Sequence, residues 1–336
     1  MPQVQYVETT VCKYDFVTFI PPGLDLCQQL VECLNLGFGA LHRGQFRQKS
    51  TSRGGFSILD WENFELTPCE GLKVAGKYQK NGDRLLLLLP GFGNDRHWFD
   101  HVLPLAPPGW TLAVMELPPF YGSGWTSDAP LGEGELKNWI GALHSFFKPQ
   151  ETHLMAFSLG SRAALGMYLS IPESIASICL ISPDGLRVHP AYAFAMYTSI
   201  GRMLFRRVVR NPVRLLFILR LLNWVGIIHK RLYDLALAQL ESESRRKRLY
   251  YSWIAWSGIR PKINRIAELT QLHGTRWRLI WGKQDEILPH TLGRKFCRHV
   301  TGATLHLEEG GHFLIRNPSD EMKRKINQLL ESNGTN

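Results

Sequence analysis

The stretch Leu154-Met155-Ala156-Phe157-Ser158-Leu159-Gly160-Ser161-Arg162 decides the fold. Its first four residues form an apolar run of the kind buried in a parallel sheet, and the residues after Ser158 carry helical spacing. A serine on so sharp a strand-to-helix turn has its Oγ pushed out at the top of the sheet. The turn is tight enough that the positions two before and two after it must be small, and Ala156 and Gly160 meet that demand. The helix beginning at Leu159 also aims its first N–H groups at the same point, which favours negative charge there. Other Ser-x-Gly matches, as at Ser52 and Ser199, carry Ser50 and Tyr197 two residues earlier and follow no buried strand.

Similar apolar runs lie on both sides of this stretch: Leu85–Leu89, Leu112–Leu117, Ile175–Ile181, Leu279–Trp281 and Thr304–Leu307. Helical patterns separate them at about residues 97–102, 136–147, 159–169 and 291–299, with a last one near 320–330. Alternating strands and helices with short connections predict an α/β fold, a doubly wound and mostly parallel sheet. Between the run ending at Ile181 and the one starting at Leu279 the alternation stops. Helical pattern fills about 190–210, 212–225, 228–242 and 243–257 instead. The expected organisation is therefore an N-terminal extension and linker over 1–55, a core over 56–185 and 267–332, and an inserted all-helical cap over 186–266. Loops leaving the carboxyl ends of parallel strands sit above the binding crevice, so the insertion is expected to act as a lid. The extension contains a Pro-Pro-Gly break at Pro21 to Gly23 and a basic, Gly/Ser-rich stretch from Arg43 to Gly55, and it has no assigned role.

A serine nucleophile needs a base, and the base needs a carboxylate to orient it. Asp285 follows the run Leu279–Trp281, and His312 follows the final run in Glu309-Gly310-Gly311-His312. The chain order Ser158, Asp285, His312 is the order expected when this chemistry is built on such a sheet. Asp184, in Ser182-Pro183-Asp184-Gly185, stands after the preceding strand and is the rival for the acid's role.

With these residues in place, the sequence over about 56–332 resembles the α/β-hydrolase fold superfamily, specifically a serine hydrolase with a helical cap. Pro90-Gly91-Phe92-Gly93 is similar to that family's His-Gly-x-Gly loop, with Pro90 in place of histidine. The resemblance implies an oxyanion hole made of the N–H groups of Phe92 and Leu159. It also implies an enzyme, a carboxylic ester hydrolase working through an acyl-enzyme on a small-molecule acyl substrate, apolar or aryl, with no cofactor and no metal. One alternative is a lyase or C–C bond hydrolase of the same fold acting on an anionic metabolite, similar to menaquinone-pathway members. The other is a non-catalytic binding protein on a hydrolase scaffold. Arg162 is read as a structural ion-pair partner rather than a substrate ligand.

Composition limits the remaining classes. The 336 residues are 44% hydrophobic and 20% charged, an ordinary globular balance. The net charge of +10 is unevenly spread: residues 186–266 hold 16 Lys and Arg against three acids. That segment alone is +13 and the remainder is −3. No nucleic-acid-binding motif accompanies the charge, so no nucleic acid is expected as a partner. Helices mixing arginines with bulky apolar residues either pack their apolar stripe on the core or lie in an anionic membrane interface, so peripheral membrane contact through the cap is a further expectation. The longest near-apolar stretch, Leu215 to Ile228, is 14 residues long. That falls short of the roughly 18 needed to cross a bilayer. With no secretory signal pattern at the start and six cysteines scattered without metal-ligand spacing, the expected location is cytoplasmic, with reduced thiols. His97 and His101 stand four apart but lack the companion glutamate and a third ligand of a zinc site. Arg96 occupies the place of the third glycine of a dinucleotide loop that would begin at Gly91.

Overall fold

The computed structural model describes residues 61–103, 106–188, 190–226, 233, 237 and 240–331. Among the described residues nine strands form one sheet: β1 (Glu62–Cys69), β2 (Leu72–Lys80), β3 (Arg84–Leu89), β4 (Trp110–Glu116), β5 (Gly124–Trp125), β6 (Glu151–Phe157), β7 (Ile175–Ile181), β8 (Arg276–Gly282) and β9 (Thr304–Glu308). The order is β1-β2-β4-β3-β6-β7-β8-β9, with β5 beside β2. From β4 to β9 every neighbour is parallel, while β1 and β2 form an antiparallel margin.

The continuous apolar runs have a direct cause, because both faces of the parallel part are covered. Leu85, Leu87 and Leu89 enter one core and Leu86 and Leu88 enter the other. Leu154 and Ala156 are divided from Met155 and Phe157 in the same way. The first core is closed by α1 (Glu133–Phe147) and α2 (Leu159–Ser170), and the second by the segment around Phe99 and Val102 together with a C-terminal helix, Asp320–Glu331. In α1 the buried positions Leu136, Trp139, Ile140, Leu143 and Phe147 form one stripe, and Glu135 accepts the Gly132 amide at 2.9 Å to fix the helix start.

The insertion between β7 and β8 is helical: α3 (Pro190–Tyr197), α4 (Ser199–Arg210), α5 (Val213–Trp224), α6 (Glu243–Trp256) and α7 (Ile263–His273). After it come α8 (Thr291–His299) and α9, the C-terminal helix Asp320–Glu331. The single helical pattern expected over 190–210 is broken at Thr198. The Thr198 hydroxyl accepts the Gly201 amide at 2.9 Å and starts a new helix. A Cβ on Gly201 would lie 2.0 Å from the Phe194 carbonyl oxygen, so the crossing of α3 and α4 requires glycine. The pattern at 228–242 lies mostly outside the described residues, as does the extension over 1–55.

Two expectations are corrected. The helix expected at 97–102 is a run of turns, with Asp100 N bonded to His97 O and Val102 N to Phe99 O, a three-residue spacing. The prolines at 104, 107 and 108 leave no room to extend it into an α-helix. The β1–β2 hairpin was not among the expected strands. Its residues alternate polar with apolar at the sheet margin, and Lys77 is buried in β2, where it pairs with Asp100 at 2.8 Å. His97 also faces Asp100, at 2.9 Å. Cys69, Cys179 and Cys297 are free thiols, and Cys12, Cys27 and Cys33 lie outside the described residues.

Candidate active site

Ser158 sits where β6 meets α2, with φ 49° and ψ −119°. A non-glycine residue rarely adopts this left-handed region, and holding one there costs about 1–3 kcal/mol. Three backbone bonds impose it: Ser158 N donates to Ile181 O at 3.0 Å, and Asp184 N and Ser161 N donate to Ser158 O at 3.1 and 2.9 Å. A Cβ on Gly160 would lie 2.0 Å from Leu89 O and 2.5 Å from Pro90 O, so the glycine lets α2 start directly against the end of β3.

The loops after β8 and β9 bring the two partners. Asp285 is an acceptor when ionised, so His312 Nδ1–H donates to its Oδ2, at 2.9 Å. The other imidazole nitrogen, Nε2, then carries the lone pair and accepts the Ser158 hydroxyl at 3.0 Å. The second carboxylate oxygen of Asp285 accepts the amides of Ile287 and Leu288 at 3.0 and 2.9 Å, which fixes the carboxylate plane. All three side chains are buried. Residues separated by 154 and 27 positions thus converge on one rim, at the carboxyl ends of β6, β8 and β9.

Asp184, the rival acid, is engaged elsewhere. Its Oδ2 and Oδ1 receive Arg162 Nε and Nη2 at 2.9 and 3.0 Å, a buried two-pronged pair. Burial opposes the charge on Arg162, but the Asp184 carboxylate outweighs it and holds the guanidinium above its ordinary pKa. Arg162 Nη1 also reaches the Tyr192 hydroxyl and the Trp256 carbonyl, both at 3.4 Å. Trp256 Nε1–H donates to Pro118 O at 2.8 Å. The helical insertion is therefore fastened to the core one turn beyond Ser158.

The loop carrying Phe92 follows β3, the immediate neighbour of β6, so it lies beside the start of α2. A Cβ on Gly91 would meet Asn94 Oδ1 at 2.7 Å and the Phe157 ring at 2.9 Å, so any side chain there displaces one of these neighbours. The Phe92 ring packs edge-on against Phe120, centroids 4.8 Å apart.

Residues 86–324 match the alpha/beta hydrolase family. The chain belongs to that family. This alpha/beta hydrolase is 22% identical over 231 residues to the dihydrolipoyllysine-residue acetyltransferase component of the acetoin cleaving system of Cupriavidus necator. That match takes in 67% of this chain but only 58% of the relative's length. It is 21% identical over 272 residues to monoacylglycerol lipase ABHD6 of Homo sapiens, covering 73% of each. A thermophilic esterase from Thermogutta terrifontis superimposes with a TM-score of 0.60 at 14% identity, over 82% of this chain and all of that one. That likeness shows the fold.

Several residues that shape the site of this alpha/beta hydrolase had no role assigned to them from the sequence. Glu116, buried at the end of β4, accepts Arg96 Nε at 2.6 Å and the Gly122 amide at 2.7 Å. Tyr121 donates its hydroxyl to Gly93 O at 2.8 Å. Together these bonds clamp the loop after β3 to the loop after β4, although Pro90 stands where the resemblance expects histidine. Gln284 does the same between the loops of Asp285 and His312: its Oε1 accepts the Gly310 amide at 2.7 Å, and its backbone N donates to Gly310 O at 3.0 Å. Lys283 pairs with Glu309 across the same gap. The only hint in the sequence is an acid at the inner end of a buried strand for Glu116. Gln284 carries none. Among the described residues, no three His, Cys, Asp or Glu side chains gather as a metal site.

Proposed function

We propose that this alpha/beta hydrolase cleaves a carboxylic ester or related acyl bond through an acyl-enzyme on Ser158. The observation that carries the reading is the continuous chain from Asp285 through both imidazole nitrogens of His312 to the serine hydroxyl. His312 Nε2 takes the Ser158 proton as Oγ attacks the carbonyl carbon, and Asp285 stabilises the imidazolium. The N–H groups of Phe92 and Leu159 receive the oxyanion of the tetrahedral intermediate, each contributing roughly 3 kcal/mol to the transition state. Collapse of the intermediate expels the alcohol, which takes the proton from His312. Water then gives a proton to His312 and attacks the acyl carbon, and the returning proton restores Ser158. The helical insertion acts as the lid.

The substrate is an apolar acyl or aryl ester. The lipase and the esterase among the similar proteins support an ester bond. The state of Arg162 argues against an anionic metabolite, because this guanidinium next to the nucleophile turn is already neutralised by Asp184. A panel of p-nitrophenyl esters and carboxylated diketones tests the reading. Turnover of short or medium esters is expected, with none of the diketones. Activity on diketones alone would overturn it.

A further inference from the structure

Amphipathic helices of a globular protein turn their apolar stripe inward and their charges outward. Helices α4 and α5 follow this division only in part: Phe205, Val208 and Val209 of α4 and Leu215, Leu219 and Leu222 of α5 pack on the core, while further apolar residues face outward. Only Gly201 and Val209 of α4 and Leu219 of α5 are buried. Large apolar side chains share the solvent face with the arginines: Ile200 is 64% exposed, Val213 65%, Phe217 66% and Trp224 81%. On α4 the exposed face runs Ile200, Met203, Leu204, Arg207, at three- and four-residue spacing. On α5 it runs Val213, Phe217, Leu221, Trp224, with Arg214 and Arg220 alongside.

Among the described residues, Arg202, Arg207, Arg210, Arg214 and Arg220 have no carboxylate partner. These five arginines lie on an insertion that is itself +13. A surface that is both strongly cationic and apolar, with a tryptophan at one end, matches an anionic lipid interface. Headgroups take the arginines and the acyl boundary takes the apolar rings.

We propose that the exposed face of α4 and α5 docks this protein on an anionic lipid bilayer. The insertion is tied to Arg162, one turn beyond Ser158, through Tyr192 and Trp256, so docking of the insertion anchors the core through the same contacts. The inference does not depend on the ester chemistry, because the surface is read from exposure and charge.

The test is co-sedimentation of the full chain with phosphatidylcholine vesicles, with and without about 30 mol% phosphatidylserine. Binding is expected to be at least about tenfold stronger on the anionic vesicles and to fall steeply as salt is raised. The double variant Phe217→Ser/Trp224→Ser, whose side chains are both exposed, is expected to lose about tenfold in binding while its hydrolysis of a soluble ester stays at the wild-type rate. Vesicle binding without any ester hydrolysis would leave docking standing and sink the hydrolase reading. No enrichment, equal enrichment on neutral vesicles, or full binding by the double variant would overturn docking. So would a dimer in sedimentation velocity that the double variant disperses, with no vesicle binding, since a second copy would then be the occupant.

Discussion

Replacement of His312 by alanine lowers kcat on any ester the protein turns over by roughly 10⁴- to 10⁶-fold, with KM little changed. The imidazole touches the Ser158 hydroxyl on one side and Asp285 on the other, so its loss removes the acceptor of the serine proton and the donor to the leaving alcohol at once. Ser158→Ala costs a similar factor, and the double variant is hardly worse than either single one, because the residues act as a unit. Some rate above that of water persists, carried by the Phe92 and Leu159 amides. The measurement is steady-state kinetics of the three variants on one p-nitrophenyl ester. An active His312→Ala enzyme would place the base elsewhere.

The second large effect separates the two aspartates. In Asp285→Asn, kcat falls by about 10⁴-fold, because an amide no longer enforces the tautomer that leaves Nε2 free to accept the serine proton. The melting temperature moves little, since the side-chain oxygen that accepts the Ile287 and Leu288 amides remains. Asp184→Asn behaves in the opposite way. It leaves the buried guanidinium of Arg162 without a counter-charge, which costs about 3–5 kcal/mol. In a chain of this size that lowers the melting temperature by roughly 10 °C. Because Arg162 also fastens the insertion through Tyr192 and Trp256, the loosening reaches α3 and α6. Removing both partners in Arg162→Met/Asp184→Leu recovers part of the loss, as expected when the penalty lies in the unpaired charge. Thermal melts and kcat measured on the same four proteins check this. A loss of rate in Asp184→Asn without a loss of stability would return that residue to the role of acid.

The contrast between the aspartates shows what could be read without coordinates. The parallel strands were legible because burial on both faces writes itself as unbroken apolar runs, as in Leu85–Leu89 with its side chains divided between two cores. Ser158 and His312 were legible because each follows such a run, and Gly160 marked the tight start of α2. Asp285 was preferred to Asp184 from the sequence, but both stand just after a strand. The choice turns on contacts, Arg162 for Asp184 and His312 for Asp285, between residues 22 and 27 positions apart. The β1–β2 hairpin was missed because a sheet margin has no continuous apolar run, and the turns at 97–102 were misread because Phe99 and Val102 are spaced as in a helix without forming one. The helices α4 and α5 were legible as helices. The direction of their apolar residues was not, because a mixed run of Arg, Phe, Leu and Trp has the same composition whichever way it faces.

The central claim is that Ser158 is an activated nucleophile, and reaction with a fluorophosphonate probe tests it most directly, because only a serine whose proton a neighbouring base accepts during attack reacts quickly. Mass spectrometry of the labelled chain is expected to find one adduct, on the peptide containing Ser158, absent in Ser158→Ala and strongly slowed in His312→Ala. A folded protein that takes up no label, or takes it up on another residue, would contradict the account.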